Sequence, residues 1–332
     1  MNFSFIIPVY NRPDEIDELL ASLSGQTCKQ PFNVIIVEDG STISCEHIVD
    51  KYKSKLDVTY YLKYNSGPGD SRNFGMSQSK ADYFIILDSD CILPENYLSE
   101  VSNSLNTKYV DCFGGPDAML PNFTAVQKAI NFVMTSFLTT GGIRGGSEKL
   151  GKFQPRSFNM GLSRKAFEAS KGFSNIHPGE DPDLSIRLWK AGFETKLIPN
   201  AFVYHKRRID WEKFYIQVNK FGKVRPILNF WYPEYAKLTF IFPSLFVIGL
   251  MVGIFAFFLN IDIILQFYFA YTVLIFVVSS IQNRNIYVGY LSIIAVWQQF
   301  FGYGLGFIKS FFKINMLKQK PEDAFPELFF KV

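Results

Sequence analysis

Tyr83-Phe84-Ile85-Ile86-Leu87-Asp88-Ser89-Asp90 is the stretch on which the fold turns. Five apolar residues closed by acids read as a strand whose end a rigid scaffold can aim. Working outward, short apolar runs also stand at Phe3 to Val9, Asn33 to Val37 and Val58 to Leu62. Between them apolar residues fall at helical spacing, as Ile16, Leu19, Leu20 and Leu23 do after Pro13-Asp14. Strand and helix alternating in this way predict βαβ units, hence an α/β fold with a mainly parallel sheet flanked by helices. Ligands of such sheets collect beyond the carboxyl ends of the strands. Here those ends carry Asn11-Arg12, Glu38-Asp39-Gly40 and Asp88-Ser89-Asp90, so three strand ends are expected to meet at one crevice.

The chain of 332 residues sets 34 Lys and Arg against 30 Asp and Glu, a formal charge of +4, with 19% charged and 17% aromatic residues. That composition excludes a disordered or nucleic-acid-coating protein, and no nucleic-acid partner is expected. The cysteines Cys28, Cys45, Cys91 and Cys112 form no CxxC pair, which argues against a disulfide scaffold or a structural zinc site. The averages hide a split: from Leu238 to Ile308 the only charges are Asp262 and Arg284.

Three apolar stretches, Leu238 to Leu259, Ile261 to Ile281 and Ile286 to Ile308, are each long enough to cross a hydrocarbon core as a helix. The expected organisation is an α/β domain over 1–230, two or three membrane helices over 231–310 and a short basic tail over 311–332. Met1 to Val9 has no basic leader and reads as a first strand rather than a signal peptide. Lys206, Arg207, Arg208, Lys213, Lys220, Lys223, Arg225 and Lys237 precede the first stretch and place the large domain on the cytoplasmic side of a cell (inner) membrane, as part of a multi-pass protein. Three crossings would then export Lys309, Lys313, Lys318 and Lys320, against the same rule; either one stretch is re-entrant or interfacial, or the charges before the first stretch override those of the tail.

Asp88 and Asp90 supply hard oxygen ligands of the kind that bind a divalent cation together with substrate phosphates; an acidic turn after a strand would look the same. Asp39, at another strand end, can accept the ring N–H of a nucleobase or belong to a plain Asp-Gly turn. Gly67-Pro68-Gly69-Asp70-Ser71-Arg72-Asn73 combines backbone freedom with a guanidinium and an amide suited to phosphate or ribose, and equally resembles a helix start after a glycine turn. In Gly179-Glu180-Asp181-Pro182-Asp183, Asp181 is a candidate general base, while a helix N-cap followed by proline has the same appearance. His205, after Val203-Tyr204, is a candidate metal ligand, and a lone structural histidine would look the same. Arg144 and Arg156, around a glycine-rich basic loop from Gly141 to Lys152, and Glu180 are candidates for the acceptor side, while a merely solvated basic loop would look the same.

In order, Ile6-Ile7-Pro8-Val9-Tyr10-Asn11, Asp39-Gly40-Ser41, Arg72-Asn73-Phe74-Gly75, Asp88-Ser89-Asp90, Gly179-Glu180-Asp181-Pro182-Asp183-Leu184 and His205 resemble a family 2 glycosyltransferase of the GT-A fold. The resemblance spans about Asn2 to His205. It implies an inverting transferase that uses a nucleotide-diphosphate sugar, usually a UDP-sugar, with Mn2+ or Mg2+, and adds the sugar to a hydroxyl of a carbohydrate or lipid-linked glycan at a membrane. It assigns Pro8, Asp39, Arg72, Asn73 and Asp88 to the nucleotide sugar, Asp90 and His205 to the metal, and Asp181 to base catalysis. Processive synthases of the family carry Gln-x-x-Arg-Trp, whereas Gln217-Val218-Asn219-Lys220-Phe221 ends in Lys and Phe, which speaks against processive synthesis. A polyprenyl-phosphate sugar synthase is the second reading, and an inactive transferase-like membrane scaffold is the alternative of another class.

Overall fold

The computed structural model describes residues 1–28, 30–118, 123–141, 152–205 and 210–330. The strands are β1 Phe3–Val9, β2 Phe32–Asp39, β3 Val58–Lys63, β4 Tyr83–Leu87, β5 Cys91–Ile92, β6 Cys112–Gly114, β7 Asp117–Ala118, β8 Asn159–Ser163, β9 Thr195–Leu197 and β10 Val203–His205. The helices are α1 Pro13–Ser24, α2 Glu46–Tyr52, α3 Pro68–Gln78, α4 Tyr97–Thr107, α5 Ala125–Thr135, α6 Phe137–Thr140, α7 Arg164–Ser170, α8 Glu180–Lys190, α9 Trp211–Trp231, α10 Phe242–Phe257, α11 Ile263–Asn283, α12 Ile286–Phe311 and α13 Pro321–Ala324. They divide into two compact units. One holds the described residues of 1–120, 148–206 and 329–332, and the other those of 121–147 and 207–328. Helix α9, which the sequence partition gave to the first domain, therefore belongs with the apolar helices.

The first unit is built on a seven-stranded sheet of order β3-β2-β1-β4-β8-β6-β9. β1, β2, β3 and β4 run parallel, as do β6 and β9, while β8 runs antiparallel to both its neighbours. The mainly parallel sheet is as expected. Its strands read as continuous apolar runs because both faces are covered. On β1, Phe3, Phe5, Ile7 and Val9 enter one core with Leu19, Leu20 and Tyr97, whereas Ile6 enters the other with Met76, Leu184 and Leu188. β4 splits in the same way, Tyr83, Ile85 and Leu87 against Phe84 and Ile86. A smaller sheet, β5-β10-β7, follows the acidic end of β4.

Gly161 sits in β8 opposite Phe113 of β6, and a Cβ there would lie 1.9 Å from Phe113 Cε1. Gly161→Ala is expected to cost about 1 to 3 kcal/mol through overpacking, measurable by chemical denaturation.

The second unit gathers α5, α6 and α9 to α13. Two helical segments among the described residues are long and apolar enough to cross a membrane, Ile263–Asn283 and Ile286–Met316. The first expected stretch, from Leu238, does not reach that length. Leu238–Phe240 is a separate 3-10 turn, and α10 starts at Phe242 with proline in its first turn, leaving 16 residues. At 1.5 Å per residue that is about 24 Å, short of the roughly 30 Å core. α9 packs closely on α12: a Cβ at Gly222 would stand 2.1 Å from the Tyr303 carbonyl oxygen, so only glycine permits this approach. Between α11 and α12 the Ser279 and Ser292 hydroxyls meet at 2.7 Å, which satisfies two buried polar groups in an apolar setting.

Candidate active site

The chain leaves β1 for α1 and β2 on one side, then returns from β3 to β4 on the other side of β1, so a topological switch lies between β1 and β4. The carboxyl ends of β2, β1 and β4 stand side by side there. Asn11 braces two of them. It adopts a left-handed φ of 54°, its N–H donates to Ser41 Oγ at 2.8 Å, and its Oδ1 accepts from the N–H groups of Thr42 and Ile43 at 2.8 and 3.0 Å.

Asp39 ends β2 and is 4% exposed. Its Oδ1 accepts from Ser66 N at 2.9 Å and Lys63 Nζ at 3.2 Å, and its Oδ2 accepts from Gly67 N at 2.9 Å. The carboxylate thus ties the entry of α3 to the strand end. Lys63 also pairs with Asp70 at 2.7 Å. One turn further, the Arg72 guanidinium is buried among carboxylates: Nη2 donates to Asp88 Oδ1 at 2.8 Å and Nη1 to Glu180 Oε1 at 3.4 Å. Burial alone would lower the Arg72 pKa, but Asp88, Glu180 and Asp181 outweigh it and raise it, so the group stays charged. Asn73, expected at the nucleotide, has both ends of its amide on the Phe173 backbone at 2.8 Å. Pro8 lies in β1 opposite Val37.

After β4, Asp88 remains one-third exposed, while Asp90 is 8% exposed and accepts from Arg12 Nη1 at 2.7 Å. Among the described residues no three His, Cys, Asp and Glu side chains converge as a ready metal cage. Two carboxylates at one strand end nevertheless fit a hard divalent cation, which commonly takes one or two protein carboxylates and completes its shell with substrate phosphates. Arg12 is 41% exposed in the Asp90 pair, and ion pairs with an exposed partner are weak enough to be displaced. The His205 side chain and Arg144 lie outside the described residues; Arg156 is half-buried before β8.

α8 begins two residues earlier than the proline suggested. Gly179, at φ 126°, is the N-cap and makes no side-chain cap, so Asp181 sits inside the first turn and does not cap the helix. Its three acids have separate fates. Asp183 takes Arg187 Nε and Nη2 at 3.0 and 2.7 Å. Glu180 Oε1 meets His177 Nδ1 at 2.8 Å and Arg72 at 3.4 Å. Asp181 Oδ1 is buried without a hydrogen-bond partner. Burial would raise the Glu180 pKa, but His177 and Arg72 hold it well below the usual carboxylate range. Burial, then the adjacent Glu180 charge, push Asp181 up to about 6, against smaller opposing effects of Arg72 and Ser157. A carboxylate with an unsatisfied oxygen and a pKa near neutrality is suited to accepting a proton.

The structure thus brings Asp39, Arg72, Asp88, Asp90, Glu180 and Asp181 to one end of the sheet. Sequence reasoning did not assign Arg12, Lys63 or His177; their signal was position, Arg12 and Lys63 at strand ends and His177 as one of three histidines, three residues before Glu180.

The family model described as "Glycosyl transferase family 2" matches residues 4–170. The chain belongs to glycosyl transferase family 2. Similar proteins include a poly(ribitol-phosphate) β-N-acetylglucosaminyltransferase, TarS, of Staphylococcus aureus, 36% identical over 33% of this chain and 20% of that protein. The chondroitin synthase of Pasteurella multocida is 36% identical over 62% of this chain and 25% of its own length, and the hyaluronan synthase of that species is 25% identical over 62% and 24%. The matches span a quarter or less of these relatives. Among solved structures, a mannosyltransferase from Pyrobaculum calidifontis in complex with GDP-Man and Mn2+ shares the fold at a TM-score of 0.53 and 14% identity, over 68% of this chain and 63% of that one.

Proposed function

We propose that this family 2 chain transfers a sugar, with inversion, from a UDP-sugar to a hydroxyl of a carbohydrate or lipid-linked glycan acceptor. The observation that carries the reading is Asp181, its Oδ1 buried and unpartnered next to Glu180, whose own carboxylate is ion-paired with Arg72. Asp181 takes the proton of the acceptor hydroxyl. The oxygen attacks the anomeric carbon opposite the diphosphate, the carbon–oxygen bond to the diphosphate breaks, and the electron pair leaves with UDP. Asp90 and Asp88, with His205, would hold Mn2+ or Mg2+, which when bound offsets the charge on the diphosphate. Asp39 and Arg72 orient the donor, directly or by fixing the loops around it.

A relative named as a poly(ribitol-phosphate) β-N-acetylglucosaminyltransferase and relatives named as hyaluronan and chondroitin synthases support a hydroxyl of a polymeric acceptor. A polyprenyl phosphate is already ionised and needs no base, so a carboxyl tuned to about 6 favours the hydroxyl. The two long apolar helices would hold the protein at the membrane lipid, with the basic residues before them on the cytoplasmic face.

The test is a panel of nucleotide sugars assayed for UDP release by the detergent-purified chain, with manganese, magnesium or chelator. Release from at least one UDP-sugar that chelator abolishes is expected; release from none with either metal would remove the activity and leave the scaffold reading.

The pH profile is a second expectation. The base works deprotonated, so kcat/KM should fall as pH drops through about 6. Glu180→Gln removes the negative neighbour that raises Asp181, so the acid limb should move to lower pH, read from kcat/KM between pH 4.5 and 8.

A further inference from the structure

Phe329 and Phe330 belong to the first unit, far along the chain from everything they touch there. Phe330 N–H donates to Asn175 O at 3.0 Å, Asn175 Nδ2 donates to Phe330 O at 3.4 Å, and Phe329 bridges Ile176 in antiparallel fashion. This short pairing fixes where the Phe330 ring falls, and the ring meets two loops. Its centroid is 6.0 Å from that of His177. It also covers Gly67, where a Cβ would lie 2.4 Å from Phe330 Cδ2.

Each of those neighbours is bonded to a site carboxylate. Gly67, at φ +92°, donates its N–H to Asp39 Oδ2 at 2.9 Å. His177 Nδ1 lies 2.8 Å from Glu180 Oε1, the residue before Asp181. A glycine has no side chain with which to pack its loop, and His177 is 42% exposed, so the phenyl ring supplies apolar contact that neither provides alone.

We propose that Phe330 is a positioning residue that clamps the Asp39-bonded loop at Gly67 and the Glu180-bonded loop at His177 in one register. It touches neither substrate nor reacting atoms. It acts by setting two groups that must be placed together, where a displacement of about 1 Å is enough to cost roughly a hundredfold in rate. The inference rests on the reading of Asp39 as donor-side and Asp181 as base.

The experiment uses the full chain with Phe330→Ala and Phe330→Leu, each with and without His177→Ala, and measures kcat, donor KM, UDP affinity by calorimetry and melting. Phe330→Ala should weaken UDP binding and raise donor KM severalfold, lower kcat roughly 10- to 100-fold and leave cooperative melting in place, with most of the loss restored by leucine. In the His177→Ala background the further loss in kcat should vanish, because the two act in series, while the rise in KM through Gly67 persists. Unchanged kcat and KM, or a kcat loss that adds in full to that of His177→Ala, would overturn the clamp. A wild-type chain that neither binds UDP nor transfers sugar would count against the reading of the site instead. Amide hydrogen exchange then decides the clamp: Phe330→Ala must speed exchange at Ser66–Gly67 and Asn175–Asp181, and unchanged exchange there overturns it.

Discussion

Asp181→Asn should lower single-turnover sugar transfer by roughly 10²- to 10⁴-fold, the usual worth of a positioned general base, while UDP-sugar affinity should stay near the wild-type value. The amide keeps the shape of the side chain but cannot take the acceptor proton. Stability moves in the opposite direction. The Asp181 pKa is raised to about 6 from the ordinary 3.8, so its favourable contribution is complete below the unfolded value and is lost as pH rises through about 6. Above that pH the ionised carboxyl burdens the fold and the amide does not. At pH 8 the variant should therefore melt at or above the wild-type temperature. Because Gly179 caps α8, no lost cap confuses the comparison. A wild-type transfer rate in Asp181→Asn would remove the residue from the mechanism. Loss of stability together with rate would contradict the sign of its pKa shift.

Arg72→Met is expected to cost about 3 to 5 kcal/mol of stability, because removing one partner leaves buried charge uncompensated. The side chains of Arg72 and Glu180 are 4% and 6% exposed, so water does little to screen what remains. Glu180 would be left with His177, and Asp88 would lose its 2.8 Å contact. The double variant Arg72→Met with Glu180→Gln should recover much of the loss, since it removes both charges, and the coupling is read from a denaturation cycle. Arg72 also lowers the Asp181 pKa, so in any active Arg72→Met protein the acid limb of kcat/KM should move to higher pH. Additive losses in the cycle would show that the pair is not coupled.

Much of the sheet and the order of its acids were legible because hydrophobic periodicity is a local property. The run Tyr83–Leu87 and the spacing of Ile16, Leu19, Leu20 and Leu23 state burial directly, and the structure places β4 and α1 on them. Asp39, Asp88 and Asp90 stood at strand ends, where chain direction alone puts them near a ligand cleft. The first apolar stretch was legible in composition but not in length: proline in the first turn of α10 and the separate turn Leu238–Phe240 shorten it, and a hydropathy count does not register either.

What the sequence by itself determined was the α/β alternation, the family motifs from Pro8 to His205 and the apolar character of the last third. Only the tertiary structure decided which carboxyl keeps an oxygen without a partner. Glu180, Asp181 and Asp183 are near-equivalent on the page, yet one is held by Arg72 and His177, one by Arg187, and one keeps an unpartnered oxygen. Arg72 and Glu180 are 108 residues apart, and Gly67 and Phe330 are further apart still. Backbone preference acts over a few neighbours, whereas the partner of a buried charge is set by which segments the packed core brings within about 3 Å, and that distance is fixed only when the whole sheet is assembled.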